Sequence, residues 1–181
     1  MNFPPDPTGT DVQGLFTLFP PAGYVTRCEL VPPGRVPPPY QQLLVHEHHM
    51  TVTVEAHHGD LVDVKVLEYR VAGDSYARKI LLTLQRTGRV VMFGLMRLSF
   101  QYCSEAVRQE ILAGQTPLGR ILINSNVLRR IEPTAFLRVL PGPAMMEWFG
   151  LDRPRPTYGR FALIHCDEQA AVELLEIVAP E

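Results

Sequence analysis

The spacing of apolar and polar residues changes period several times along the chain, and those changes divide it into elements. Over residues 61–71, Val62, Val64 and Val66 alternate with Asp63 and Lys65, the two-residue period of a half-buried strand. Two longer apolar runs follow, YARKILLTLQ at 76–85 and RVVMFGLMRLSF at 89–100, separated by Arg86, Thr87 and Gly88. Apolar runs around a glycine-bearing turn predict an antiparallel hairpin of two central strands. A similar pair, GRFALIHC at 159–166 and AAVELLEIV at 170–178, predicts a second hairpin about Asp167–Gln169.

Elsewhere the period lengthens. Leu43, Leu44, Met50 and Val54 lie near helical spacing, although the TVTV run at 51–54 is β-branched, and Gly59 and Asp60 break the pattern. Ser104 before EAVRQEILAG combines an N-cap, an acidic first turn, apolar residues at Val107, Ile111 and Leu112, and a glycine stop. A further helix is expected from Thr116 as cap and Pro117 as first residue through Arg130. Residues 132–159 carry Pro133, Pro141, Pro143, Pro154 and Pro156 and read as irregular, long enough for a lid. Residues 1–39 are richest in proline, which disfavours regular helix and central strand there. The expected organisation is a Pro-rich extension at 1–39 and one domain at 40–181.

Composition narrows the classes of function. With 181 residues, 46% of them hydrophobic, the chain has enough apolar material for one ordinary core. A net charge of -2 and scattered rather than clustered Lys and Arg argue against nucleic acid as a partner. Cys28, Cys103 and Cys166 form neither a disulfide framework nor a zinc pattern, which fits a reducing compartment. With no signal-peptide pattern and no stretch of bilayer-spanning length, the expected setting is the cytoplasm, without a membrane partner.

Three features break patterns that packing alone would keep. Arg78 shares a strand face with Ile80, Leu82 and Leu84; a guanidinium so placed needs an anionic partner, unless it lies at a strand end and reaches water or a structural carboxylate. In the last strand Glu176 shares a face with Leu174 and Val178, and Glu173 the other with Ala171, Leu175 and Ile177. Alternation does not choose between them, but whichever faces the core is a carboxyl in apolar surroundings, suited to proton transfer. The turn GQTPLGR leaves the N–H groups of Leu118 and Gly119 without intrahelical partners, a feature of both anion sites and ordinary helix starts. Gly94, inside an apolar strand, marks either a bulge or a close approach by a ligand. His46, Glu47, His48 and His49 lack a spaced second ligand pair, so no metal site is expected.

In this order, a helical LL followed by Met-Thr, then YARKILL, a glycine-bearing strand, TPLGR, YGR and a terminal Glu strand ending in Pro, the chain resembles the chorismate lyase-like family over residues 40–181. The resemblance implies an α+β single domain: a curved, mainly antiparallel sheet of about six strands, with helices and flaps covering an internal ligand pocket. It implies a carbon–oxygen lyase converting chorismate, or a close analogue, to 4-hydroxybenzoate and pyruvate without metal or organic cofactor. It further implies Arg78 and the Leu118 N–H as holders of the ring carboxylate, Glu176 as the catalytic acid, and Met50 and Gly94 as pocket backbone. Gly119 and Thr116 belong to the same turn, Arg97, Arg120 or Arg160 are candidates for a second carboxylate, and residues 133–158 fall where the family has a flap. Alternatives within the same fold are a non-catalytic module that binds a small aromatic or carboxylic acid, and a degenerate member with a scaffold role.

Overall fold

The computed structural model describes residues 12–19, 23–125, 129–166 and 169–181. Its centre is an open, antiparallel seven-stranded sheet in the order β1-β5-β6-β7-β4-β3-β2. The strands are β1 (Val25–Val31), β2 (Val62–Ala72), β3 (Ser75–Leu84), β4 (Val90–Ser99), β5 (Arg129–Pro141), β6 (Thr157–Cys166) and β7 (Gln169–Val178). Among the described residues six α-helices accompany them: α1 (Val12–Thr17), α2 (Tyr40–Leu44), α3 (Met50–His58), α4 (Glu105–Ala113), α5 (Leu118–Asn124) and α6 (Pro143–Phe149). The expected α+β single domain with a mainly antiparallel sheet is thus present, with seven strands. Among the described residues no helix is long and apolar enough to cross a membrane.

Both predicted hairpins form, β3 with β4 and β6 with β7; residues 167 and 168 of the second turn lie outside the described residues. Gly88, at φ +69°, supplies the left-handed residue of the first turn. The helix after Ser104 follows its sequence signals closely. The Ser104 hydroxyl accepts from the Val107 N–H at 3.3 Å, and Gly114 ends the helix at φ +66°.

Strand alternation gives the sheet two buried faces. One carries Ala77, Leu81, Phe93, Leu95, Phe161, Leu175 and Ile177, and packs against Leu15 and Phe16 of α1 and Met145 of α6. The opposite face carries two separate clusters. Tyr76, Met96, Ala162, Ile164 and Val172 meet α4 and α5, whereas Ile80, Leu82, Met92 and Val178 meet α2 and α3. The seam between these two helix pairs is the place where the sheet face is free to line a cavity.

Three expectations are corrected here. Residues 133–158 are not a flap: they supply β5 and α6, and Trp148 of α6 stacks on Phe93 at 5.4 Å between ring centroids, on the face away from the seam. The prolines conceal this strand because Pro133 sits at a register shift, an irregularity at which a strand tolerates proline. The helix after Pro117 stops at Asn124, and Arg129 and Arg130 already belong to β5. Within the Pro-rich stretch, Val25–Val31 adds the edge strand β1, paired with β5. An edge position tolerates the flanking prolines that a central strand does not.

Candidate ligand site

The seam encloses a cavity of about 50 Å³. Its floor is the sheet face bearing Arg78, Ile80 and Leu82 of β3, Met92, Gly94 and Met96 of β4, and Leu174 and Glu176 of β7. Its roof is His49, Met50 and Thr51 at the start of α3 and Pro117, Leu118 and Gly119 at the start of α5. Register explains the convergence, because Ile80, Gly94, Glu176 and Arg160 form one row across four strands. Arg78 lies in the next row, opposite Met96, which in turn faces Leu174. All of these side chains share a face because they differ by two residues along each strand.

Gly94 and Gly119 allow close packing within the floor and within the roof respectively. A Cβ on Gly94 would lie 3.1 Å from Ile80 Cγ1, and one on Gly119 would lie 2.7 Å from Thr51 Oγ1. Side chains there would displace the floor in the first case and separate α3 from α5 in the second.

Arg78 is 1% exposed, and its Nε and Nη1 atoms have no hydrogen-bond partner. Burial pushes its guanidinium below the ordinary arginine value, and the neighbouring Tyr76 hydroxyl works in the opposite direction. Tyr76 itself is held above the ordinary tyrosine value by burial, again opposed by Arg78. An arginine that faces a cavity with no carboxylate bonded to it leaves a positive potential to be met by something that enters.

Glu176 is different in kind from the isolated carboxyl in apolar surroundings that the alternation suggests. Its Oε2 accepts from Arg160 Nε at 2.7 Å, and Arg160 is 0% exposed. Arg160 also donates to the carbonyls of Leu44 (3.3 Å), His46 (2.9 Å) and His48 (3.0 Å). It therefore ties β6 and β7 to the segment between α2 and α3 that leads into the cavity roof. Burial, then the Arg160 charge, lowers His46 to about 4, so this imidazole is neutral at physiological pH.

Of the residues expected to form the site, Arg78, Glu176, Leu118, Gly119, Met50 and Gly94 line this one cavity. The other three do not line it. Thr116 is not the cap of α5: that position is Pro117, whose carbonyl accepts from the Arg120 and Ile121 N–H groups. Extended backbone at Pro117, ψ 138°, delays the first helical residue to Leu118. Arg97 pairs with Glu173 on the other face of the sheet, Nε to Oε2 at 2.6 Å, and Arg120 pairs with Glu55. Arg160, the third candidate for a second carboxylate, already holds Glu176.

Tyr76 and Thr51 carry no site signal in the sequence, and His49 signals only within the histidine cluster. Tyr76 could have been found, since it shares parity with Arg78 on the same strand; His49 and Thr51 reach the cavity through a segment whose packing only the fold decides.

No protein-family model matches the chain, and no curated protein is matched by its sequence. Solved structures do share its fold. The chain is similar to PhnF from Mycobacterium smegmatis (TM-score 0.52, 13% identity), covering 75% of this chain and 65% of PhnF. It is also similar to the effector domain of PhnF from the same organism (TM-score 0.53, 14% identity), covering 73% of this chain and 88% of that domain. A weaker likeness joins it to a ligand-binding domain assigned to the GntR family of transcriptional regulators, from Bordetella bronchiseptica (TM-score 0.47, 12% identity, 65% of this chain and 85% of that one). The class that architecture and neighbours define is the chorismate lyase-like α+β fold.

The expectation of a carbon–oxygen lyase is corrected accordingly. The structures that share the fold at a TM-score above 0.5 are PhnF and its effector domain, so nothing in the likeness supports lyase activity. In this chain the Glu176 Oε2 is held by Arg160 Nε at 2.7 Å. The cavity of about 50 Å³ is also well below the ~300–1,000 Å³ of sites that enclose drug-sized ligands.

Proposed function

We propose that this chain is a binding module for a small organic anion, seated in the seam with its charged group against Arg78. The observation that carries this reading is the buried Arg78 guanidinium, with two donor atoms unused and a cavity beside them. A charge taken out of water without a partner is retained only where something offsets its desolvation, and a bound carboxylate does so with charge-assisted hydrogen bonds. The N–H groups of Leu118 and Gly119 lie ahead of the first intrahelical donors of α5 and add neutral donors to the same cavity.

Ile80, Leu82, Met92, Met96 and Leu174 line the remainder, which suits a compact apolar body attached to the anionic group. Glu176 disfavours a second negative charge at its end of the cavity, so a monoanion fits better than a diacid. Arg160 positions Glu176 and the roof rather than touching the ligand. Cys28, Cys103 and Cys166 form no disulfide among the described residues, which accords with a reducing, cytoplasmic setting.

Calorimetric titration with acetate, benzoate, 4-hydroxybenzoate and inorganic phosphate tests the proposal. A small carboxylate should bind the wild-type chain, and Arg78→Met should lose that binding while remaining folded. If none of the four binds, or if binding survives Arg78→Met, the assignment fails.

A further inference from the structure

β2 is the terminal strand of the sheet, so one row of its backbone N–H and C=O groups has no neighbouring strand. Its surface is unusual for an edge. Leu61 (55%), Tyr69 (62%) and Val71 (47%) are the three most exposed large apolar side chains among the described residues. All three lie on or immediately before this strand.

The register shift between Val66 and Glu68 sorts its side chains. Asp63, Lys65, Glu68 and Arg70 lie opposite Thr83, Leu81, Lys79 and Ala77, on one face. Val62, Val64, Tyr69 and Val71 lie opposite Leu84, Leu82, Arg78 and Tyr76, on the other. Without the bulge, the charges at 63 and 65 would fall on the face opposite those at 68 and 70.

We propose that two copies of the chain associate by antiparallel pairing of β2 with β2, about a two-fold axis between Val66 and Leu67. In that register Asp63 faces the partner's Arg70, and Lys65 faces the partner's Glu68. On the other face Val62 meets the partner's Val71, and Val64 meets the partner's Tyr69. By symmetry each contact occurs twice. Opposite charges and apolar pairs directly across a ladder are the stabilising arrangements.

Neighbouring registers fail on the same residues. A slip of two residues in one direction sets Lys65 against the partner's Arg70, and in the other it sets Asp63 against the partner's Glu68. A slip of one residue sets the charged face of each strand against the apolar face of its partner. Edge strands that avoid association carry repelling charges of one sign, commonly lysine; this edge carries both signs in self-complementary order, and Asp63, Lys65 and Arg70 are exposed.

Sedimentation equilibrium of the full chain, with variants, tests the pairing. The wild-type chain should be a concentration-dependent dimer. Asp63→Arg and Lys65→Glu should each raise the dimer Kd by about tenfold or more, because each creates two like-charge pairs. The double variant Asp63→Arg/Arg70→Asp, which restores opposite charges, should bring the Kd back to near the wild-type value. Far-UV circular dichroism checks that all variants stay folded. A chain that is monomeric at every concentration overturns the proposal; so does a dimer whose Kd ignores both single substitutions, or a charge swap that does not restore it.

Discussion

Replacing Arg78 by methionine should make the ligand-free protein more stable, which is the opposite of what most substitutions at a 1% exposed residue do. The perturbation removes a buried charge and keeps much of its volume. Each donor left unsatisfied costs about 1–3 kcal/mol, and Arg78 has two, Nε and Nη1, so removing them relieves on the order of 2–6 kcal/mol. Against this, the contact with the Tyr76 hydroxyl is lost, at about 1.5–3 kcal/mol for a hydrogen bond to a charged group. The balance runs from about 1 kcal/mol of destabilisation to about 4.5 kcal/mol of stabilisation, with its midpoint near 2 kcal/mol of stabilisation. For a chain of 181 residues that midpoint is a rise in melting temperature of about 4–8 °C.

Adding anion should reverse the order of effects. A ligand at 100 times its Kd stabilises the wild-type chain by about 2.7 kcal/mol, whereas Arg78→Met should not respond. Urea unfolding followed by circular dichroism, with and without the anion, measures both quantities. If Arg78→Met were less stable than wild type without any anion by more than about 1 kcal/mol, Arg78 would be a satisfied structural residue. The reasoning that it awaits a ligand would then be wrong.

Other outcomes follow from the same geometry. Arg160→Met should destabilise by about 3–5 kcal/mol, because it strands a buried carboxylate at Glu176 and releases the carbonyls of Leu44, His46 and His48; thermal denaturation reads this directly. His46 is lowered to about 4 in the folded chain, from 6.5, so between these values the unfolded state binds more protons and stability rises with pH. That stability is fully present above pH 6.5 and is lost as pH falls toward 4. His46→Gln should flatten the slope of unfolding free energy over this window. Gly119→Ala should cost about 1–3 kcal/mol, since its Cβ would lie 2.7 Å from Thr51 Oγ1. Serine to alanine at the N-cap Ser104 should cost about 1 kcal/mol, measurable as a lower urea midpoint.

Much of this protein is legible in local pattern. Alternation along 61–71 and the apolar runs around Gly88 mark β2, β3 and β4, because a strand's period of two is a property of the chain itself. The same alternation puts Arg78 on the face with Ile80 and Leu82, where the structure finds it. Arg160 was equally visible, on the same parity as Ala162 and Ile164, but parity names the face and not the partner. Whether Glu173 or Glu176 turns to the cavity, and that Arg160 meets Glu176, depend on which strands become neighbours.

That neighbour relation pairs residues far apart in sequence, and it is set by the joint packing of both sheet faces rather than by any segment. β5 shows the limit most plainly, since its prolines signal loop locally and its place between β1 and β6 overrides them. The sequence by itself thus determined the strands, the capped helix and an unusual arginine. Only the tertiary structure decided that this arginine is left without a carboxylate, that its neighbour's carboxylate is taken, and that the cavity between them is small, because pairing and volume are relations between segments that no single segment contains.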